Sequence, residues 1–152
     1  MRIDYSYKFP TFKDAEKEAN RIREKVKRDA ERKGYAVQML IGISDRDGKI
    51  PSRLSQPHLH IMFYACPCET FLKATASYIN KFLKKHNLNG AVTRHVCDTG
   101  YIPYIVMQSR KNRYYEHDPD NALSDYNVVK KAKRVEARAF RKMRAKRGRK
   151  PL

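Results

Sequence analysis

The sequence predicts an α+β domain (an α/β sandwich): a central antiparallel sheet with flanking helices, followed by a basic C-terminal helix. Three observations predict it. Residues 12–30 and 69–86 repeat apolar side chains at helical spacing. Residues 35–44 and 57–65 are nearly continuous apolar runs with β-branched and aromatic members, which read as strands. Between the two runs, Asp45-Arg46-Asp47-Gly48-Lys49 has the composition of a turn, so their simplest arrangement is an antiparallel pair. A chain of 152 residues has room for one core of ordinary size. The expected division is a compact domain over residues 1–120 and a basic helix or tail over 121–152.

Charge narrows the partners. Lys and Arg total 34 against 16 Asp and Glu, a formal +18. Self-repulsion of that size points to a polyanionic partner, nucleic acid first. No apolar run approaches the ~20 residues that span a bilayer. Met1-Arg2-Ile3-Asp4-Tyr5 lacks the apolar core of a secretory signal, and three cysteines make no disulfide framework, so a cytoplasmic, reducing setting is expected. Cys66-x-Cys68 is too tight for a usual zinc knuckle and Cys97 stands alone, so all three read as small buried thiols.

In chain order, a short strand is expected around Ile3 to Tyr7. Thr11 with Asp14 resembles a capping box with the shorter acid, and Phe12, Ala15, Ala19, Ile22, Val26 and Ala30 follow at helical spacing until Gly34. The strand Tyr35–Ser44 comes next, then the turn and the strand His58–Ala65. Glu69 opens a second helix to about His86, with two adjacent stripes (Phe71, Ala74, Tyr78, Phe82 and Leu72, Ala76, Ile79, Leu83) wide enough to cover a sheet. Ala91 to Cys97 alternates as a third strand. Pro103 fits the first turn of a helix capped by Asp98 or Thr99, on which Tyr101 and Tyr104 share a face. The chain then turns polar, and Arg110, Lys111 and Arg113 interleaved with Tyr114 and Tyr115 suit stacking on unpaired bases with charge on the backbone. Ser124 caps a last helix whose thin stripe is Val128, Ala132, Val135, Ala139, Phe140 and Met143. Lys130 to Lys150 holds twelve Lys or Arg and one acid, Glu136. A helix so charged must dock by its stripe or order on a polyanion.

Two histidines stand out. His58 and His60 lie at i and i+2 in a strand, so both imidazoles share one face of the sheet. Neutral imidazole is the commonest protein ligand of transition metals, and two on a rigid strand supply half of a divalent-metal site. Two histidines with ordinary hydrogen bonds are the bland alternative. Pairing the strands brings Asp45 near His58, where a third ligand is needed; Gln38 and Asp47 stand behind it, and His95 is a spare.

Pro57-His58-Leu59-His60 in an apolar strand, followed after a helix and a strand by Tyr104-Ile105-Val106-Met107-Gln108, resembles the HUH endonuclease superfamily, specifically the rolling-circle replication initiators (Rep proteins) of plasmids and phages. The likeness spans roughly residues 35–113. It implies a sheet-centred fold in which the histidines and a third ligand hold Mg²⁺ or Mn²⁺, and a helix-borne tyrosine that attacks a phosphodiester of single-stranded DNA. Tyr104 matches the family pattern best; Tyr101 is second, and Tyr114 and Tyr115 are distant thirds. The family's usual glutamate in the preceding strand is missing, with Asp45 the nearest acid, and Met107 and Gln108 stand where a lysine often follows the nucleophile. The implied partners are an origin nick site, hairpin or unpaired, with host helicase and polymerase, since no Gly-x-x-x-x-Gly-Lys-Ser/Thr occurs. Backbone contacts are expected from Arg46, Lys49, Arg53, Arg110, Lys111, Arg113, Lys130, Lys131 and Arg134. Two rivals stand: a non-enzymatic basic nucleic-acid-binding protein, and a metallonuclease that hydrolyses without a covalent step.

Overall fold

The computed structural model describes residues 2–5, 7–46, 54–65, 68–86, 92–95, 101–123 and 128–148. Within them the elements run β1 (Arg2–Tyr5), α1 (Phe12–Lys33), β2 (Val37–Arg46), β3 (Leu54–Ala65), α2 (Glu69–Lys85), β4 (Val92–His95), α3 (Tyr101–Gln108), β5 (Lys111–His117) and α4 (Val128–Gly148). The strands form one antiparallel sheet in the order β4-β1-β3-β2-β5, so the fold is α+β with flanking helices, as the sequence predicts. No helix among the described residues is long and apolar enough to cross a membrane.

Alternation along the strands sorts side chains to two faces. On one face Met39, Ile41 and Ile43 of β2 and Leu59, Ile61 and Phe63 of β3 are buried against α1 and α2. The helix α1 turns Ala15, Ala19, Ile22, Val26 and Ala30 inward. The Asp14 backbone N–H donates to Thr11 Oγ1 at 3.1 Å, closing its N-terminus, and Gly34 ends it at φ +66°, a conformation a side chain would strain. The helix α2 buries Phe71, Leu72, Thr75, Ile79 and Leu83, whereas Tyr78 and Phe82 stay half-buried and carry the Arg21 guanidinium on their rings. Ala74, expected in the buried stripe, is exposed, because the face that meets the sheet is rotated toward Thr75.

On the opposite face Leu40 and Met62 form a second core with Ile102, Ile105 and Val106 of α3 and Val128 and Ala132 of α4. The first turns of α4 therefore belong to this core. Gln38, fully buried, ties them down: its Oε1 accepts from the Val128 backbone N–H at 3.1 Å while its Nε2 donates to Glu116 at 3.0 Å. Glu136 accepts from Tyr114 Oη and from Asn112 Nδ2, so the helix's acid faces the sheet.

Three further expectations are corrected. Residues 111–117 form an edge strand, and neither tyrosine offers a free ring: Tyr115 is buried under α1, and Tyr114 is half-buried with its hydroxyl on Glu136. Burial pushes the Tyr115 phenol up to about 12. The apolar stripe of α4 docks only as far as Val135 and leaves Phe140 and Met143 exposed, because the helix outruns the sheet. Cys68, expected as a buried thiol, is exposed, because it stands at the N-cap of α2 rather than on its inward face. The expected caps at Asp98, Thr99 and Ser124, and Cys66 and Cys97, lie outside the described residues.

Candidate functional site

The residue pairs of β2 and β3 set the site. His58 faces Ser44 and His60 faces Gly42 across the strands, and both histidines are half-exposed on the face that α3 and α4 only partly cover. Their ring centroids are 5.0 Å apart. His58 Nδ1 lies 2.9 Å from the Gln56 carbonyl oxygen. A carbonyl only accepts, so Nδ1 carries a proton, and in the neutral ring the lone pair is left to Nε2. Ligating histidines are commonly oriented in this way, with the remote N–H on a carbonyl. A divalent ion sits about 2 Å from each imidazole nitrogen that binds it, a geometry with which a 5.0 Å centroid separation is compatible.

The third ligand is less simple. The Asp45 carboxylate lies 3.3 Å from Arg110 and 3.9 Å from Arg46. Gln38 is committed to α4 and Glu116. Asp47 lies outside the described residues, and His95 is opposite Arg2, a strand away from the histidines. Among the described residues no three His, Cys, Asp or Glu gather into a metal-sized group. The backbone register, however, sets Asp4 of β1 directly opposite His60. Directly opposed residues of an antiparallel pair share a face with Cβ atoms about 4.5–5.5 Å apart. The sequence hides this neighbour because it depends on the pairing of β1 with a strand more than fifty residues on.

Helix α3 is seated by a missing side chain. A Cβ on Gly42 would come within 2.2 Å of Ser109 Oγ and 2.7 Å of Ile105 Cγ2, so only glycine lets the helix rest this close to β2. Ser44 Oγ donates to the Gln108 carbonyl at 2.8 Å, and the Arg110 N–H donates to the Ile43 carbonyl at 2.8 Å. These bonds lock the end of α3 beside the residue that faces His58. Val106 packs in the core shared with α4. Tyr104, two residues earlier, lies about 200° round the helix at 3.6 residues per turn. It is thus on the flank of α3 opposite Val106, and 40% exposed. Tyr101 stands one turn before Ile105 on the same helix.

The predicted DNA-contacting cations divide into two groups. Arg110, Lys111 and Arg113 turn to α1: the Arg110 guanidinium lies 4.5 Å from the Phe12 ring centroid, Lys111 pairs with Glu16 at 2.8 Å, and Arg113 reaches Asn20 and Glu16. The hydrogen bond from Lys111 holds the Glu16 carboxyl below its usual range. The charges of Lys111 and Arg113 stitch β5 to α1, away from the histidine face, whereas Arg110 also pairs with Asp45 and lines the space between α3 and α4. Lys130, Lys131 and Arg134 are exposed on α4, Arg46 is exposed at the end of β2, and Lys49 and Arg53 lie outside the described residues.

Fold and site define an antiparallel α+β domain with two oriented histidines on an open sheet face beside a tyrosine-bearing helix. No protein-family model, curated protein or solved structure matches the chain.

Proposed function

We propose that this protein is a metal-dependent enzyme that nicks and rejoins single-stranded DNA through a covalent 5′-phosphotyrosine, an HUH-type initiator of rolling-circle replication. The observation that carries it is the His58–His60 pair, with Nδ1 of His58 already committed to a carbonyl, on the same sheet face as the helix that bears Tyr104. His58 and His60 would hold Mg²⁺ or Mn²⁺, with Asp45, or Asp4 at the register position opposite His60, as the candidate third ligand. A bound divalent ion neutralises charge on a non-bridging phosphate oxygen. Tyr104 Oη attacks the phosphorus in line; the P–O3′ bond breaks, the phenol proton passes to solvent, and the leaving 3′-oxygen takes up a proton. The phosphodiester energy is kept in the tyrosyl phosphate for rejoining. Single strands suit the site because the scissile phosphate must reach a sheet face flanked by α3.

The test is incubation with labelled single-stranded oligonucleotides and Mn²⁺, followed by a denaturing gel. A covalent adduct is expected that EDTA abolishes and Tyr104→Phe removes. His58→Ala and His60→Ala each lower it by at least about 100-fold, beyond the 10–100-fold range of an outer-shell residue. Tight metal-independent binding without an adduct would instead mark a plain nucleic-acid binder. Cleavage that survives both Tyr101→Phe and Tyr104→Phe would mark a hydrolytic metallonuclease.

A further inference from the structure

A groove of about 750 Å³ runs between the C-terminal end of α3 and the second half of α4. Ligand pockets commonly measure roughly 300–1,000 Å³, so the space is of binding size. Its apolar wall is Met107, Phe140 and Met143, which are 63%, 58% and 56% exposed. Side chains that open are not core. Its rim carries Arg46, Lys142 and Lys146. The Arg144 guanidinium lies 5.9 Å from the Phe140 ring centroid, flanking that aromatic surface. Two acids also line the groove, but neither offers a bare charge: Glu136 accepts from Tyr114 and Asn112, and Asp45 faces Arg110 and Arg46.

We propose that this groove holds unpaired bases of single-stranded DNA, with one base stacked on Phe140 and the backbone running along the cationic rim. An aromatic platform between cations is how sequence-tolerant single-strand binding is built, because every base has a stacking face while phosphates need only charge. A duplex keeps its bases inside and would leave the apolar wall unused. The placement extends the nicking site. Tyr104 occupies one flank of α3 and Val106 the other, with Met107 between them at the groove's edge, so a strand leaving the tyrosine crosses Met107 to enter the groove. That continuity rests on the nicking function proposed above; the base-binding itself does not.

The experiment is fluorescence anisotropy of a labelled oligothymidine titrated with the full chain in EDTA, where no covalent step occurs. Phe140→Ala is expected to weaken binding roughly 5- to 100-fold, the loss of one stacked base, and Phe140→Trp to retain it. Phe140→Ala leaves the salt dependence unchanged, whereas Lys142→Ala and Lys146→Ala each flatten the slope of log affinity against log salt by about 0.7. Circular dichroism of Phe140→Ala should match the parent, since the ring is exposed. Three results would overturn the proposal: binding within two-fold of the parent, an equal loss on a duplex of the same sequence, or a loss confined to anionic vesicles or to self-association. Failure of the adduct experiment leaves these titrations interpretable, and their failure leaves the adduct experiment standing.

Discussion

The two faces of the sheet use the same strands differently. On β3, Leu59, Ile61 and Phe63 point into a dry core under α1 and α2, while His58 and His60, interleaved with them, stay half-exposed on the other side. The first face is closed by two long helices; among the described residues the second is covered at its centre, where α3 and the start of α4 pack on Leu40 and Met62. Buried and half-exposed residues thus alternate along one strand, and under the proposed function the first serve stability and the second chemistry.

The largest effect expected from breaking this division is on the dry face. Ile61→Ala removes a fully buried side chain and should cost about 2–5 kcal/mol in urea unfolding, whereas His60→Ala should stay within about 1 kcal/mol while losing the adduct. Equal destabilisation by the two would show that the histidine face is also structural. Gly42→Ala sharpens the comparison, because glycine at this position is what lets α3 approach the open face. A methyl group 2.2 Å from Ser109 Oγ must move the helix end, with an expected cost of about 1–3 kcal/mol and a larger proportional loss of adduct than of stability. A Gly42→Ala protein with full stability and full adduct would disconnect α3 from the site.

Local chemistry made much of this fold legible in the sequence. Thr11 and Gly34 bracket α1 because caps act within a turn, and period two alone puts His58 and His60 on one face. Features that depend on distant partners were not legible. The strand β5 has too polar a pattern to read as a strand, because among the described residues it is an edge strand paired with β2, and its Lys111 and Arg113 are matched by acids and amides of α1. Gly42 looks like one more member of a buried run until α3 is set on it. Asp4 looks like a terminal acid until β1 pairs with β3. The exposed end of α4 escaped for the opposite reason: Phe140 and Met143 keep perfect helical spacing, but the sheet stops short of them.

Mass spectrometry of the protein trapped with a single-stranded oligonucleotide and Mn²⁺ tests the central claim most directly. The tryptic peptide over residues 95–110 holds both Tyr101 and Tyr104, and fragmentation separates them. A nucleotide phosphate on Tyr104 is the expected result; a modification on Tyr114 or Tyr115 instead, or none on any tyrosine under conditions where the DNA is cut, would contradict it.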